Sequence, residues 1–322
     1  YPGLTANGLR PNTYNVYILD ANGCASPTTQ ITINQPTPLT LIVNKANVSC
    51  FNQNNGTAEA VFSGGTAPYT VRWSDGNTQT SRSGLAPGNY EVVITDANGC
   101  IVRSNVIITQ PAPILVVETI KNVSCFGGSD GSISLNISGG NGSFTVSWTN
   151  KVTGATVGTG NVINNLPEGI YVATVRDPFG CESIREYTIT QPAEPLTIQP
   201  IISHVRCAGE NTGNIDLIVS GGTGPYTYQW SSGETTRAIN NKAGGTYTVN
   251  VRDSQGCIVS QTFEIEEPLP IVVTMESIQN VSCKFGTDGS IKINITGGTG
   301  AYTIQWSNGM SGTEISGLRA GD

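Results

Sequence analysis

Eight cysteines are the residues of this 322-residue chain whose type and spacing could do chemistry. Cys50, Cys125, Cys207 and Cys283 form one set, repeating at steps of 75, 82 and 76 residues. Cys24, Cys100, Cys181 and Cys257 form a second, each ten residues after a tyrosine. No CxxC pair occurs and His204 is the single histidine, so a zinc site lacks ligands at usable spacing. Thiols at matched positions of a repeat point instead to structural disulfides and an oxidising compartment, with buried free thiols as the alternative.

Other chemistry is sparse. His204 lies in HVRC, where the other copies carry Asn47, Asn122 and Asn280, so it is one variable position on a repeated scaffold and no nucleophile–base–orienter set forms around it. No matched carboxylate pair occurs either, and the expectation is a chain without catalytic residues or cofactor. Asp20, Asp96, Asp177 and Asp253 precede the second cysteine by four residues, and Asp130 and Asp288 sit in the turns CFGGSDG and CKFGTDG. Aspartates bond turn backbone, which accounts for them without metal. Calcium held between loops of adjacent modules stays open as the alternative, though no DxDxDG pattern is present. The NxS/T triplets at Asn47, Asn55, Asn122, Asn136, Asn141, Asn280 and Asn294 read as the residue usage of turns and polar strand faces.

The elements that must carry the cysteines are written several times over. Trp73, Trp148, Trp230 and Trp306 each follow a cysteine of the first set by 23 residues and close one phrase, SGGTAPYTVRW, SGGNGSFTVSW, SGGTGPYTYQW and TGGTGAYTIQW. Self-similarity at a fixed period decides the architecture before any single residue does. Proline-bearing exits, INQPTP, ITQPAP, ITQPAEP and IEEPLP, divide the chain into the tail of a module at 1–36, whole modules at 37–111, 112–192 and 193–268, and the first part of another at 269–322. Two closely spaced prolines predict short, stiff, extended connectors. The missing initiator Met and the incomplete outer modules suggest a piece of a longer protein.

Within a module the periods are those of strands. Ile133, Leu135 and Ile137 alternate with polar residues, as do Ile215, Leu217 and Val219. Turn signals recur every 8–12 residues and no helical period is found. The prediction is all-β: a tandem array of immunoglobulin-like or fibronectin III-like β-sandwich modules of about 75–80 residues, with six or seven strands each. One large residue fills a core of that size, so the four tryptophans are expected inside; stacking on sugar is the alternative. Tyr14, Tyr90, Tyr171 and Tyr247 read as corner residues whose hydroxyls bond backbone. Six extra residues after Trp148, in NKVTGATVGTGNV, read as a longer surface loop.

With 16 basic and 23 acidic residues and no run of like charges, the chain lacks the clustered cations that nucleic acid requires. No apolar stretch reaches the roughly 18–20 residues of a membrane-spanning helix, and no signal peptide is visible.

The phrases QPxPL, VSC, DGSI, SGGTGPYTxxW, GTYTVxVxDxxGC and ITQP, taken together, resemble the SprB repeat, and the resemblance spans all the modules. It implies a secreted protein at the bacterial cell surface, of the kind found in long adhesins of gliding Bacteroidetes and exported by the type IX system. A role in adhesion or motility follows from it, with no catalytic residue. The partners it implies are neighbouring repeats, with surface polysaccharide or other cell-surface proteins as further candidates.

The pairing of the cysteines stays open. Bridges within modules would join Cys50 to Cys100, Cys125 to Cys181 and Cys207 to Cys257. Bridges across connectors would join Cys24 to Cys50 and so on, and need the chain to fold back at the prolines. A path of six alternating strands places both cysteines of a module at one end, whereas seven would bring Cys181 near Cys50. Pairing within modules is the favoured expectation. The function expected is a stalk or filament segment of an adhesin, against carbohydrate-binding modules or a subunit of a self-assembling fibre.

Overall fold

The computed structural model describes residues 4–321, among which there are strands and turns but no helix. A hairpin of β1 (Asn12–Val16) and β2 (Thr29–Ile33) comes first. Then β3 (Thr40–Ala46), β4 (Gly56–Ser63), β5 (Thr70–Trp73), β6 (Ser81–Leu85), β7 (Gly88–Thr95) and β8 (Ile101–Ile108) build a sandwich in which sheet β3-β4-β6 faces sheet β5-β7-β8. The second comprises β9 (Ala112–Lys121), β10 (Gly131–Gly140), β11 (Thr145–Asn150), β12 (Thr156–Thr159), β13 (Val162–Leu166), β14 (Gly169–Arg176) and β15 (Glu182–Ile189). Its sheets are β9-β10-β13 and β12-β11-β14-β15. The third uses β16 (Thr197–Ser203), β17 (Gly213–Ser220), β18 (Thr227–Trp230), β19 (Ile239–Lys242), β20 (Gly245–Arg252) and β21 (Ile258–Ile265), as β16-β17-β19 over β18-β20-β21. Finally β22 (Val272–Gln279), β23 (Gly289–Thr296) and β24 (Glu314–Leu318) form one three-stranded sheet. In immunoglobulin lettering each sandwich sets A, B and E against C, F and G, and the expected all-β, immunoglobulin-like tandem array is what the chain forms.

Each core is built from the alternation read in the sequence. Ile133 and Leu135 point inward from β10, Ala173 and Val175 from β14, and all pack on Trp148, which is fully buried. Trp73 and Trp230 occupy the same place in the first and third cores. In the first core Ala58 and Ala60 stand where Ile and Leu stand elsewhere, and Phe62, edge-on to Tyr69 at 5.1 Å between ring centroids, supplies aromatic volume nearby.

C and E are half-strands sharing one descent. β5 pairs with the upper half of β7, Thr70 opposite Thr95 and Trp73 opposite Val92, while β6 pairs with the lower half of β4, Ser81 opposite Glu59 and Leu85 opposite Gly56. Between them the chain changes sheets at mid-height, so six ladder segments make only five traversals. The tryptophan sits at that crossing. Its indole N–H donates to the carbonyl of the crossing segment: Trp73 to Gln79 at 2.8 Å, and Trp148 to Gly160, Trp230 to Thr236 and Trp306 to Gly312 at 2.9 Å.

The stretch after Trp148 departs from the expectation of a surface loop. It lengthens β11 and adds β12 as an extra edge strand, with Trp148 opposite Gly158. A hairpin adds one path down and one path up, so the direction of β13 is unchanged.

The SGG phrase has a steric cause. The first glycine has positive φ, and a Cβ on Gly64, Gly139, Gly221 or Gly297 would lie 1.9–2.0 Å from the carbonyl oxygen of Pro38, Pro113, Pro195 or Pro270. The entering A strand therefore crosses here against bare backbone. A Cβ on the second glycine would press on the recurrent aspartate: Gly65 on Asp96, Gly140 on Asp177, Gly222 on Asp253.

Candidate functional site: the clamp between sandwiches

Two disulfides cross from one sandwich to the next. Cys50 bonds Cys181 with Cα atoms 5.5 Å apart, and Cys125 bonds Cys257 at 5.7 Å. The favoured pairing within modules is therefore corrected, and pairing across connectors does not occur either. The A–B cysteine of one sandwich joins the F–G cysteine of its successor, the arrangement that brings Cys181 beside Cys50. The cause is the shared descent of C and E. Five traversals place the A–B turn and the F–G turn at opposite ends, so the lower end of one sandwich meets the upper end of the next. Cys24, Cys100, Cys207 and Cys283 are free and exposed.

The F–G cysteine is placed by the recurrent aspartate. Asp177 Oδ1 accepts from the N–H groups of Phe179 (2.9 Å) and Cys181 (3.0 Å), and Oδ2 accepts from the N–H of Asn141 at 3.0 Å. Asp96 does the same with Asn98, Cys100 and Thr66, and Asp253 with Gln255, Cys257 and Thr223. These are the buried charged side chains among the described residues, and each holds the SGG turn and the cysteine turn together. In Asp96 the N–H of Cys100 is the leading influence and holds the carboxyl below its ordinary value. For Asp177 and Asp253 burial pushes upward, but the donors converging on each outweigh it and both are lowered. Asp130 is strongly lowered by the hydroxyl and N–H of Ser124, with Lys121 adding to it.

The A–B cysteine is placed by residues the sequence reading took for turn usage and a variable position. Asn47 Oδ1 accepts from the N–H of Thr109 at 3.1 Å, and Asn122 from that of Thr190 at 3.0 Å. His204 fills the same slot, its Nδ1 accepting from the N–H of Glu266 at 2.9 Å, so the lone histidine does an asparagine's work. The exit motif supplies a second latch. Gln110 accepts from the N–H of Asn52 (2.8 Å), Gln191 from Gly127 (2.6 Å) and Glu267 from Gly209 (2.5 Å). The recurrence of Asn in NVSC and of Gln before Pro was the signal that could have found both.

At the first junction Asn141 bridges the two sandwiches. Its Nδ2 donates to the Ser49 carbonyl at 2.9 Å and to Asp177 at 2.8 Å, while Cys181 Sγ lies 3.3 Å from the same carbonyl. An open cleft of about 450 Å³ flanks the disulfide, lined among others by Phe51, Pro111, Pro113 and Glu182. No cluster of three or more His, Cys, Asp or Glu side chains arranged to hold a metal occurs among the described residues.

The tryptophans and tyrosines fall where the repeat places them. Trp73, Trp148 and Trp230 are 0–2% exposed, which removes their faces from any sugar; Trp306 is partly exposed. Tyr14, Tyr90, Tyr171 and Tyr247 donate to the carbonyls of Arg10, Ala86, Pro167 and Ala243 at 2.8–3.0 Å, fixing the turn before each F strand.

A framework of sandwiches clamped through their end turns defines a class: an extracellular-type array of immunoglobulin-like modules. The SprB repeat model matches residues 42–78, 117–153, 201–235 and 275–311, so the chain carries the SprB repeat four times. No curated protein sequence matches it. Among solved structures, extracellular domains 3–5 of Drosophila OTK are 12% identical at a TM-score of 0.29, covering 70% of this chain and 96% of that one. The N-terminal eight immunoglobulin domains of Down Syndrome Cell Adhesion Molecule are 10% identical at 0.30, covering 89% and 55%.

Proposed function

We propose that this chain is a stalk segment of a large secreted cell-surface adhesin, serving surface attachment or gliding motility and exported by the type IX system. The observation that carries the reading is the double covalent connection of each complete junction, by peptide connector and by disulfide. A connector alone would let neighbouring sandwiches swing. A bridge between the A–B turn of one and the F–G turn of the next adds a second tether and resists that motion. The array then transmits load along its length and holds whatever lies beyond it away from the cell. The expected partners are neighbouring repeats, with surface polysaccharide or other cell-surface proteins beyond them.

The test is made on cells whose surface protein contains this segment. Replacing Cys50 and Cys125 by Ser opens both clamps, and surface labelling reports the amount displayed. The expected result is unchanged display with weaker attachment under flow. Attachment that survives deletion of the whole segment would overturn the reading.

A further inference from the structure

The third sandwich differs from the other two on one flank. In the first and second, the N–H groups of Ala60 and Leu135 donate to the crossing segment, to the carbonyls of Thr80 and Asn161 at 2.9 and 2.8 Å. In the third the equivalent N–H, that of Leu217, donates instead to Asp216 Oδ1 at 2.9 Å, and β19 pairs with β17 no higher than Ile215. The crossing segment therefore stands off from the upper half of β17. On the same flank the second sandwich lays β12 along its C strand, whereas β18 is an edge strand. Val219 stands where Phe62 fills the first sandwich, and Tyr228 stands where the other two have Val71 and Val146.

These changes open a groove of about 410 Å³ lined by Asp216, Leu217, Val219, Tyr226, Tyr228 and Arg237 among others. Clefts of about 300–1,000 Å³ with aromatic walls and a few placed polar groups are the usual form of small-ligand sites. Tyr226 is held by donating to the Gly221 carbonyl at 2.7 Å, while the Tyr228 hydroxyl has no protein partner among the described residues. Burial raises the pKa of Tyr228, with Arg237 acting the other way, so the hydroxyl stays a donor at neutral pH. Arg237 forks onto Asp216, Nε to Oδ1 and Nη2 to Oδ2, both at 2.9 Å. The two side chains are still 63% and 40% exposed, so guanidinium N–H groups and carboxylate lone pairs are offered side by side with their charge balanced. Adjacent hydroxyls, each both donor and acceptor, match that pairing, and the C–H face of a sugar ring matches the tyrosine. An anionic ligand finds no uncompensated cation there.

We propose that this groove binds a neutral sugar residue of a polysaccharide, its ring against Tyr228 and its hydroxyls on the Arg237–Asp216 fork. The inference rests on the polysaccharide partner of the stalk reading and narrows it to one of the three complete sandwiches. Binding is read on the purified chain and attachment on cells, so a failure here leaves the clamped, load-bearing stalk standing.

The experiment applies the purified chain to an array of neutral and acidic polysaccharides and titrates it by calorimetry with oligosaccharides cut from those it binds. Tyr228→Val and Arg237→Thr install the residues the first sandwich carries at these places, and melting temperature checks that each variant folds. The expected result is binding to a neutral polysaccharide, with Kd raised about tenfold or more by either variant. Tyr228→Phe, which keeps the ring, should retain most of the affinity. A blank array, binding to acidic polysaccharides alone, or a Kd that Tyr228→Val and Arg237→Thr leave unchanged overturns the proposal.

Discussion

The indole of Trp73 donates to the carbonyl of Gln79 at 2.8 Å, at the point where the chain leaves one sheet for the other. That crossing sends the A–B and F–G turns to opposite ends and so decides which cysteines meet. Removing the donor should be costly. Trp148→Phe keeps most of the ring and strands the Gly160 carbonyl, for an expected loss of about 1–3 kcal/mol. Trp148→Ala should lose about 3–5 kcal/mol. Urea denaturation checks both, and a neutral Trp148→Phe would deny the crossing bond its role.

The two glycines of each SGG phrase should not be equivalent to a loop glycine of the same backbone hand. Gly142 has a φ of 70° and open space around it, so Gly142→Ala should cost only the left-handed backbone penalty, about 1–2 kcal/mol. Gly139→Ala also drives a Cβ toward the Pro113 carbonyl at 1.9 Å and should be clearly worse. Comparing the melting temperatures of the two variants separates the steric effect from the conformational one.

His204 serves as an acceptor for a backbone N–H, as Asn47 and Asn122 do. His204→Asn should be close to neutral. His204→Ala should cost about 1 kcal/mol or somewhat more, the worth of a typical hydrogen bond with its donor left unpaired. Equal losses in the two variants would show that ring packing, not acceptance, is what matters.

The disulfides enclose residues 50–181 and 125–257, and the loops overlap. Pulled from both ends, the oxidised chain can lengthen between Cys50 and Cys257 only by its shortest covalent route, which runs back through the stretch from Cys181 to Cys125. At about 3.3–3.6 Å per residue that stretch gives roughly 200 Å, against roughly 700 Å once the bridges are reduced. Single-molecule force spectroscopy with and without reductant reads the difference directly.

Asp96, Asp177 and Asp253 are more acidic folded than their ordinary value of 3.8. Folding therefore favours their ionised forms, and the stabilisation is whole above that value and drains away as pH falls through the folded values. Stability should be flat from neutrality down to about pH 5 and fall steeply below pH 4. Asp177→Asn, which cannot ionise, should flatten part of that fall in a denaturation series against pH.

Much of this protein was legible as a string. The period fixed by Cys and Trp, the alternation of Ile133, Leu135 and Ile137, and the corner position of Tyr171 each follow from local rules about side-chain direction and turn chemistry, so the sequence by itself determined a tandem array of β-sandwiches. The pairing of the cysteines was beyond such rules. Strand counting treats every apolar run as one crossing of the module, but β5 and β6 are halves of a single crossing, and only their pairing to different sheets reveals it. The added hairpin after Trp148 looked like a loop because a sheet edge can accept a strand of little apolar content, here Thr156–Thr159. Asn141 likewise became a bridge only once Ser49 of the preceding sandwich was brought against it. Local sequence set what each module is; the direction in which the chain crosses its own core, a property of long-range pairing, decided how one module is fastened to the next.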